Sequence, residues 1–176
     1  MTLYEPAEDS ELLAQEVKKL AKNKTVLDMG TGSGIQALTA LKAGATSVTA
    51  TDINKEAKTK LPKEIKFIHS DLFDNIKNSY DLILFNPPYL PEDLREPPSS
   101  KQATTGGPKG DELILKFLKQ ALNHLNKNGA ILLLLSSLTP QRQIEEVLSS
   151  FRFRKTTLST KKLFMEELQV WKIEKV

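Results

Sequence analysis

The chain has 176 residues, 39% of them hydrophobic and 27% charged, with a net charge of +3. That size suits one hydrophobic core, and the composition excludes a disordered or fibrous chain, so a single domain spanning residues 1–176 is expected. Cysteine is absent and His69 and His124 lie far apart, which excludes disulfides, thiol catalysis and cysteine-bearing zinc sites and leaves no metal site expected.

Ala7 to Lys22 carries Leu12, Leu13, Val17 and Leu20 at helical spacing behind an acidic first turn, and reads as an amphipathic helix. Thr25 to Met29 is a strand, followed by a glycine turn and a helix from Ile35 to Ala43 that Gly44 ends. Ser47 to Thr51 is a second strand, Asn54 to Leu61 a short helix, Ile65 to His69 a third strand and Tyr80 to Phe85 a fourth. Asn86 to Gly110, rich in proline and glycine, reads as a loop built over a site. A helix from Asp111 to Asn126 closes at Asn128-Gly129 before the apolar strand Ala130 to Leu135. Pro140 to Ser150 is a further helix. Phe151 to Leu158 and Leu163 to Ile173 alternate as an antiparallel strand pair.

Alternating strands and helices predict an α/β fold with a mostly parallel sheet covered on both faces, and ligands in such folds bind beyond the carboxyl ends of the strands. Four strand ends carry unusual residues: Asp28-Met29-Gly30-Thr31-Gly32-Ser33-Gly34 after the first, Asp52 after the second, Asp71 after the third and Asn86 after the fourth. The glycines let the backbone approach a ligand at a helix N-terminus, and a carboxylate about 20 residues later is placed for a ribose diol. Gly32-Ser33-Gly34-Ile35-Gln36-Ala37 also fits a nicotinamide-binding turn, so an NAD-dependent oxidoreductase is a rival reading. Asp28 beside the turn suits a cationic amino-acid moiety better than a pyrophosphate, and no P-loop spacing is present.

Asn86-Pro87-Pro88-Tyr89, with Asp28 to Gly34 ahead of it, resembles the S-adenosylmethionine-dependent methyltransferases that modify adenine or glutamine nitrogens. The side-chain oxygen of Asn86 and the carbonyl of Pro87 would accept from the two N–H groups of a planar amide or amino group and stabilise charge developing on nitrogen. Pro87 and Pro88 stiffen the loop, and Tyr89 offers a flat wall. Within that group the chain is most similar to the short archaeal and eukaryotic branch of the HemK-like release-factor glutamine methyltransferases, through Tyr4-Glu5-Pro6-Ala7-Glu8-Asp9-Ser10 and Gly106-Gly107-Pro108-Lys109-Gly110-Asp111.

The resemblance implies a Rossmann-like, seven-stranded class I methyltransferase fold. It implies S-adenosylmethionine contacts at Ser10, Asp28, Gly30, Gly32, Asp52, Asp71, Leu72 and Asn86, and catalysis and substrate binding at Asn86, Pro87, Pro88 and Tyr89. The substrate implied is the glutamine amide nitrogen (N5) in the Gly-Gly-Gln loop of a peptide-chain release factor. Adenine N6 and protein lysine are alternative acceptors, and a non-catalytic cofactor-binding scaffold is a further class. The bacterial branch carries an extra N-terminal helical domain that helps dock its substrate, and this chain starts almost at the core. The basic stretch Arg152, Arg154, Lys155, Lys161 and Lys162 offers either part of a docking surface or a solvated face. The fold also implies that the third strand, near Ile65 and Phe67, lies at a sheet edge, where related enzymes pair with a small zinc-binding activator protein. The longest apolar run is too short to cross a bilayer and the acidic N-terminus has no signal-peptide core, so a cytoplasmic location is expected.

Overall fold

Apolar side chains alternate along the central strands, and this two-residue period sets the architecture of the computed structural model, which describes residues 8–90 and 105–176. In β1 (Thr25–Met29), Leu27 and Met29 enter one core layer and Val26 the other. β4 (Tyr80–Phe85) repeats the pattern, with Ile83 and Phe85 on the first side and Leu82 and Leu84 on the second. In β5 (Leu125–Ser136), Ile131, Leu133 and Leu135 take the first side and Ala130, Leu132 and Leu134 the second. Each of these leucines, fully buried, contributes about 2 kcal/mol of transfer free energy.

Helices cover both layers. α1 (Glu8–Leu20) and α2 (Ile35–Lys42) close the second with Leu13, Val17, Ala37 and Ala40. α3 (Glu112–Ala121) and α4 (Gln141–Ser150) close the first with Ile114, Phe117, Leu118, Ile144 and Leu148. With β2 (Ser47–Asp52), β3 (Lys66–His69), β6 (Phe153–Lys162) and β7 (Glu167–Lys175), the described residues form a seven-stranded sheet of order β3-β2-β1-β4-β5-β7-β6. The five strands from β3 to β5 run parallel, and β7 pairs antiparallel with both β5 and β6. The chain winds outward from β1 to β3, then returns to place β4 on the other flank of β1. The crevice beyond the carboxyl ends of β1 and β4 is therefore the topological switch point, where such sheets bind ligands.

Three expectations need correction. Lys55–Lys60 is a 3-10 turn, not an α-helix. It buries only Ala57, Asn54 Oδ1 caps it by accepting from Glu56 N at 3.0 Å, and Leu61 is driven extended by Pro62. The helix expected to reach Asn126 ends at Ala121, and after a 3-10 turn, Leu122–His124, the chain already pairs as β5, with Leu125 opposite Tyr80. The strand then bulges before Ala130 meets Leu82. Asn128 takes φ 66° there, and a Cβ on Gly129 would lie 2.9 Å from the Tyr80 carbonyl oxygen. The C-terminal pair is antiparallel as expected but displaced, because Phe151 caps α4 and Leu163 lies in the turn between β6 and β7. The first seven residues, including Tyr4 to Ala7, and residues 91–104 of the long loop lie outside the described ones.

Candidate active site

Gly30 and Gly32 leave β1 with φ of 65° and 51°, a region that costs L side chains about 1–2 kcal/mol. A Cβ on Gly32 would meet its nearest atom, the Gly30 carbonyl oxygen, at 3.9 Å, an ordinary contact, so the positive φ and not crowding favours glycine here. The turn is anchored to the end of β2: Thr31 N donates to the Thr51 carbonyl at 2.8 Å and Gly32 N to Asp52 Oδ2 at 2.9 Å. The other Asp52 oxygen accepts from Asn54 N at 2.8 Å, which fixes the carboxylate at the lip of the crevice.

Asp28 is only 2% exposed. Its Oδ2 accepts from Thr31 Oγ1 at 2.6 Å and from Ala37 N, in the first turn of α2, at 3.0 Å. Burial nevertheless dominates and pushes its pKa up to about 7, opposed by those two bonds and assisted by the neighbouring Asp52 carboxylate. Such a group favours a cation brought alongside it.

Beyond β3, Leu72 is a buried non-glycine residue with φ 45°. The turn around it is stapled by Ser70, whose Oγ donates to the Leu72 carbonyl at 2.8 Å and accepts from Asn75 N at 3.0 Å. Asp71 is exposed, and its Oδ2 pairs with Lys116 of α3 at 3.1 Å.

At the end of β4, Asn86 Nδ2 donates to Ser10 Oγ at 3.2 Å and to Asp9 Oδ2 at 3.4 Å. A carboxylate only accepts, so this pair fixes which end of the amide faces α1. Among the described residues, Asn86 Oδ1 is left buried without a hydrogen-bond partner. α1 is seated by Gln36 of α2, whose Nε2 donates to the Ser10 carbonyl at 2.9 Å.

The loop after Asn86 is held from two further sides. Thr139 Oγ1 donates to the Tyr89 carbonyl at 3.0 Å, and Gly106 N to the Leu90 carbonyl at 3.0 Å. A Cβ on Gly106 would sit 2.6 Å from the Pro88 carbonyl oxygen, so only glycine permits this contact. Tyr89 packs against both core layers.

Asp28, Gly30, Gly32, Asp52, Asp71, Leu72 and Asn86 thus stand at the carboxyl ends of adjacent strands, as their positions in the sequence predict, and Ser10 joins them through its bond to Asn86. Sequence reasoning missed Asp9, Gln36 and Thr139. Asp9 was within reach, since it adjoins Ser10 in a segment already singled out; a lone glutamine in a helix and a lone threonine before a proline carry no signal of their own.

The chemistry of this donor set fits S-adenosylmethionine. It offers a buried carboxylate for an ammonium, an anchored carboxylate for a diol, and a glycine bend of positive φ between them.

Residues 6–164 match the family model described as "Methyltransferase small domain". The chain is 39% identical over 96% of its length to a protein of Methanocaldococcus jannaschii assigned as a protein N5-glutamine methyltransferase, and covers 89% of it. It is 36% identical, over 69% of its length, to the release factor glutamine methyltransferase of Lactococcus lactis, but spans only 50% of that protein. Among solved structures, the Mtq2-Trm112 complex of E. cuniculi, described as responsible for methylating the translation termination factor eRF1, superposes with a TM-score of 0.81 at 28% identity, covering 100% of both chains.

Proposed function

Because the chain belongs to the methyltransferase small domain family, we propose that it transfers a methyl group from S-adenosylmethionine to the glutamine side-chain nitrogen of the Gly-Gly-Gln loop of a peptide-chain release factor. The observation that carries the proposal is Asn86: its amide nitrogen is committed to Asp9 and Ser10, and its oxygen is buried with no partner among the described residues. A buried acceptor without a donor is costly, and a substrate N–H removes that cost.

Asp28, Gly30 and Gly32 would hold the amino-acid end of the cofactor, Asp52 the ribose, and Asp71 and Leu72 the adenine, with Ser10 and Asn86 closing the methyl side. When bound, the cofactor supplies a methyl group on a cationic sulfur. Asn86 Oδ1 and the Pro87 carbonyl would accept the two N–H groups of the glutamine amide and hold its nitrogen in position for methylation. Positive charge developing on that nitrogen as it is methylated would be stabilised by these two oxygens. The surplus proton then leaves to solvent.

The names of the relatives support this acceptor, and the edge position of β3 supports a companion subunit. Among the described residues β3 pairs only with β2, so its outer backbone is available to a companion such as the small activator protein that the resemblance implies, and the E. cuniculi neighbour was itself solved in a two-protein complex.

Incubating the chain with labelled S-adenosylmethionine and an intact release factor, then locating the label by mass spectrometry, tests the proposal. Label on the glutamine of Gly-Gly-Gln, lost in a Gln→Lys substrate, is expected. Label on naked DNA and none on the release factor would move the acceptor to adenine.

A further inference from the structure

The connection between β6 and β7 carries Phe164, fully exposed, and Met165, 79% exposed, at its tip. Leu163 N donates to the Glu166 carbonyl at 2.8 Å across the connection, so both side chains project from a closed hairpin. Hairpin tips favour Gly, Asn, Asp and Pro for conformational reasons, and two large apolar residues there serve neither the turn nor the core.

Their place in the fold is informative. Leu168 pairs with Ser136 at the carboxyl end of β5, so the tip rises at the same end of the sheet as Asn86. Ser136 Oγ donates to Glu166 Oε2, Glu167 N donates to Ser137 Oγ at 2.9 Å, and Ser137 N donates to the Glu167 carbonyl at 2.8 Å. Two residues further on, Thr139 holds the Tyr89 carbonyl, and between them Leu138 is 48% exposed. On the other side, Lys161 Nζ pairs with Glu8 of α1 at 3.2 Å, next to the Asp9 and Ser10 that fix Asn86. Both supports of the acceptor loop are therefore tied to this hairpin.

We propose that Phe164, Met165 and Leu138 form the docking surface for the protein that carries the methyl acceptor, a folded partner presenting an apolar pocket beside its acceptor loop. The inference rests on the reading of the chain as a protein methyltransferase. Charge favours a protein over a nucleic acid: Arg154 pairs with Glu174, Lys155 with Glu145 and Lys161 with Glu8, so most of the basic stretch on β6 is neutralised within the chain. The turn from Leu163 to Glu166 carries one carboxylate and no cation of its own, with Lys162 flanking it. A Met-Phe pair is suited to filling a pocket, since aromatic anchors dominate protein interfaces and methionine adapts to their contours.

The test compares the chain, purified from its native source with any companion it retains, with Phe164→Ser/Met165→Ser prepared in the same way, using an intact release factor and a short Gly-Gly-Gln peptide as acceptors. Both side chains are exposed, so melting temperature and cofactor affinity by calorimetry should stay at wild-type values. The expected result is a KM for the intact factor raised about tenfold or more, as for loss of an interface anchor, with kcat at saturation and all peptide kinetics unchanged. An unchanged KM for the intact factor, with wild-type chain active on it, would overturn the docking surface alone. The same holds if the substitution abolishes a concentration-dependent dimer while KM stays fixed, since the tip would then serve a second copy. A wild-type chain inactive on both acceptors would instead remove the reading on which the inference stands.

Discussion

Asn86 and Ser10 meet across the crevice at 3.2 Å, hydroxyl oxygen accepting from amide nitrogen, and with Asp9 they leave the Asn86 oxygen as a fixed, buried acceptor. Ser10→Ala and Asp9→Ala should therefore each reduce kcat without touching the acceptor. A loss of about tenfold is expected for the pair, because positioning and not the reacting contact is impaired. Cofactor affinity measured in parallel separates a slipped Asn86 from a failed cofactor site; unchanged kcat in the double variant would show that Asn86 holds its orientation alone.

Asp28 predicts a pH dependence of opposite sign for stability and for binding. Its pKa rises from 3.8 when unfolded to about 7 when folded, so the free protein loses stability as pH rises through that interval and the buried carboxyl ionises. Asp28→Asn removes the penalty, and its stability advantage in chemical denaturation should grow from pH 4 towards pH 7 and level off above. Affinity for the cationic cofactor should strengthen over the same range in the parent and be flat in the variant. Calorimetry in buffers of different ionisation enthalpy should register proton release near neutrality.

Asp52 has a double duty, since it anchors Gly32 and Asn54 while facing the crevice. Asp52→Ala should weaken S-adenosylmethionine binding by about tenfold or more, the value of charged hydrogen bonds, and leave NAD unbound. Tighter binding of NAD than of S-adenosylmethionine by the parent chain would return the site to the oxidoreductase reading.

The edge of the sheet gives a prediction about partnership. Ser70 N donates inward to the Asp52 carbonyl, so strand alternation turns the Phe67 N–H outward from β3. Phe67→Pro removes that donor, whereas Phe67→Ala removes the same core packing and keeps it. Co-purification from the native source should yield a companion with the parent and with Phe67→Ala but not with Phe67→Pro. A companion retained by all three would place its contact elsewhere.

Much of this site was legible in the sequence because its residues sit at strand ends that periodicity locates. Val26, Leu82, Leu84 and Leu132 alternate with Leu27, Ile83 and Leu133, and that alternation fixes where Asp28 and Asn86 emerge. What stayed illegible depends on contacts distant in the chain. The start of β5 at Leu125 is set by its pairing with Tyr80, a tertiary bond that outweighs the helical run before it. The support of Asn86 by Asp9, 77 residues away, has no local trace either. The basic stretch at residues 152–162 read as either a docking face or a solvated one, and ion pairs with Glu8, Glu145 and Glu174 account for most of it.

The most direct test of the account is single-turnover methyl transfer by Asn86→Ala, with cofactor affinity measured on the same protein. If Asn86 Oδ1 stabilises the charge that forms on the acceptor nitrogen, transfer to the release-factor glutamine should slow by roughly 100-fold or more while S-adenosylmethionine affinity falls only a few-fold. Transfer at the parent rate with a correctly folded variant would contradict it, and would leave the buried amide as no more than a turn at the end of β4.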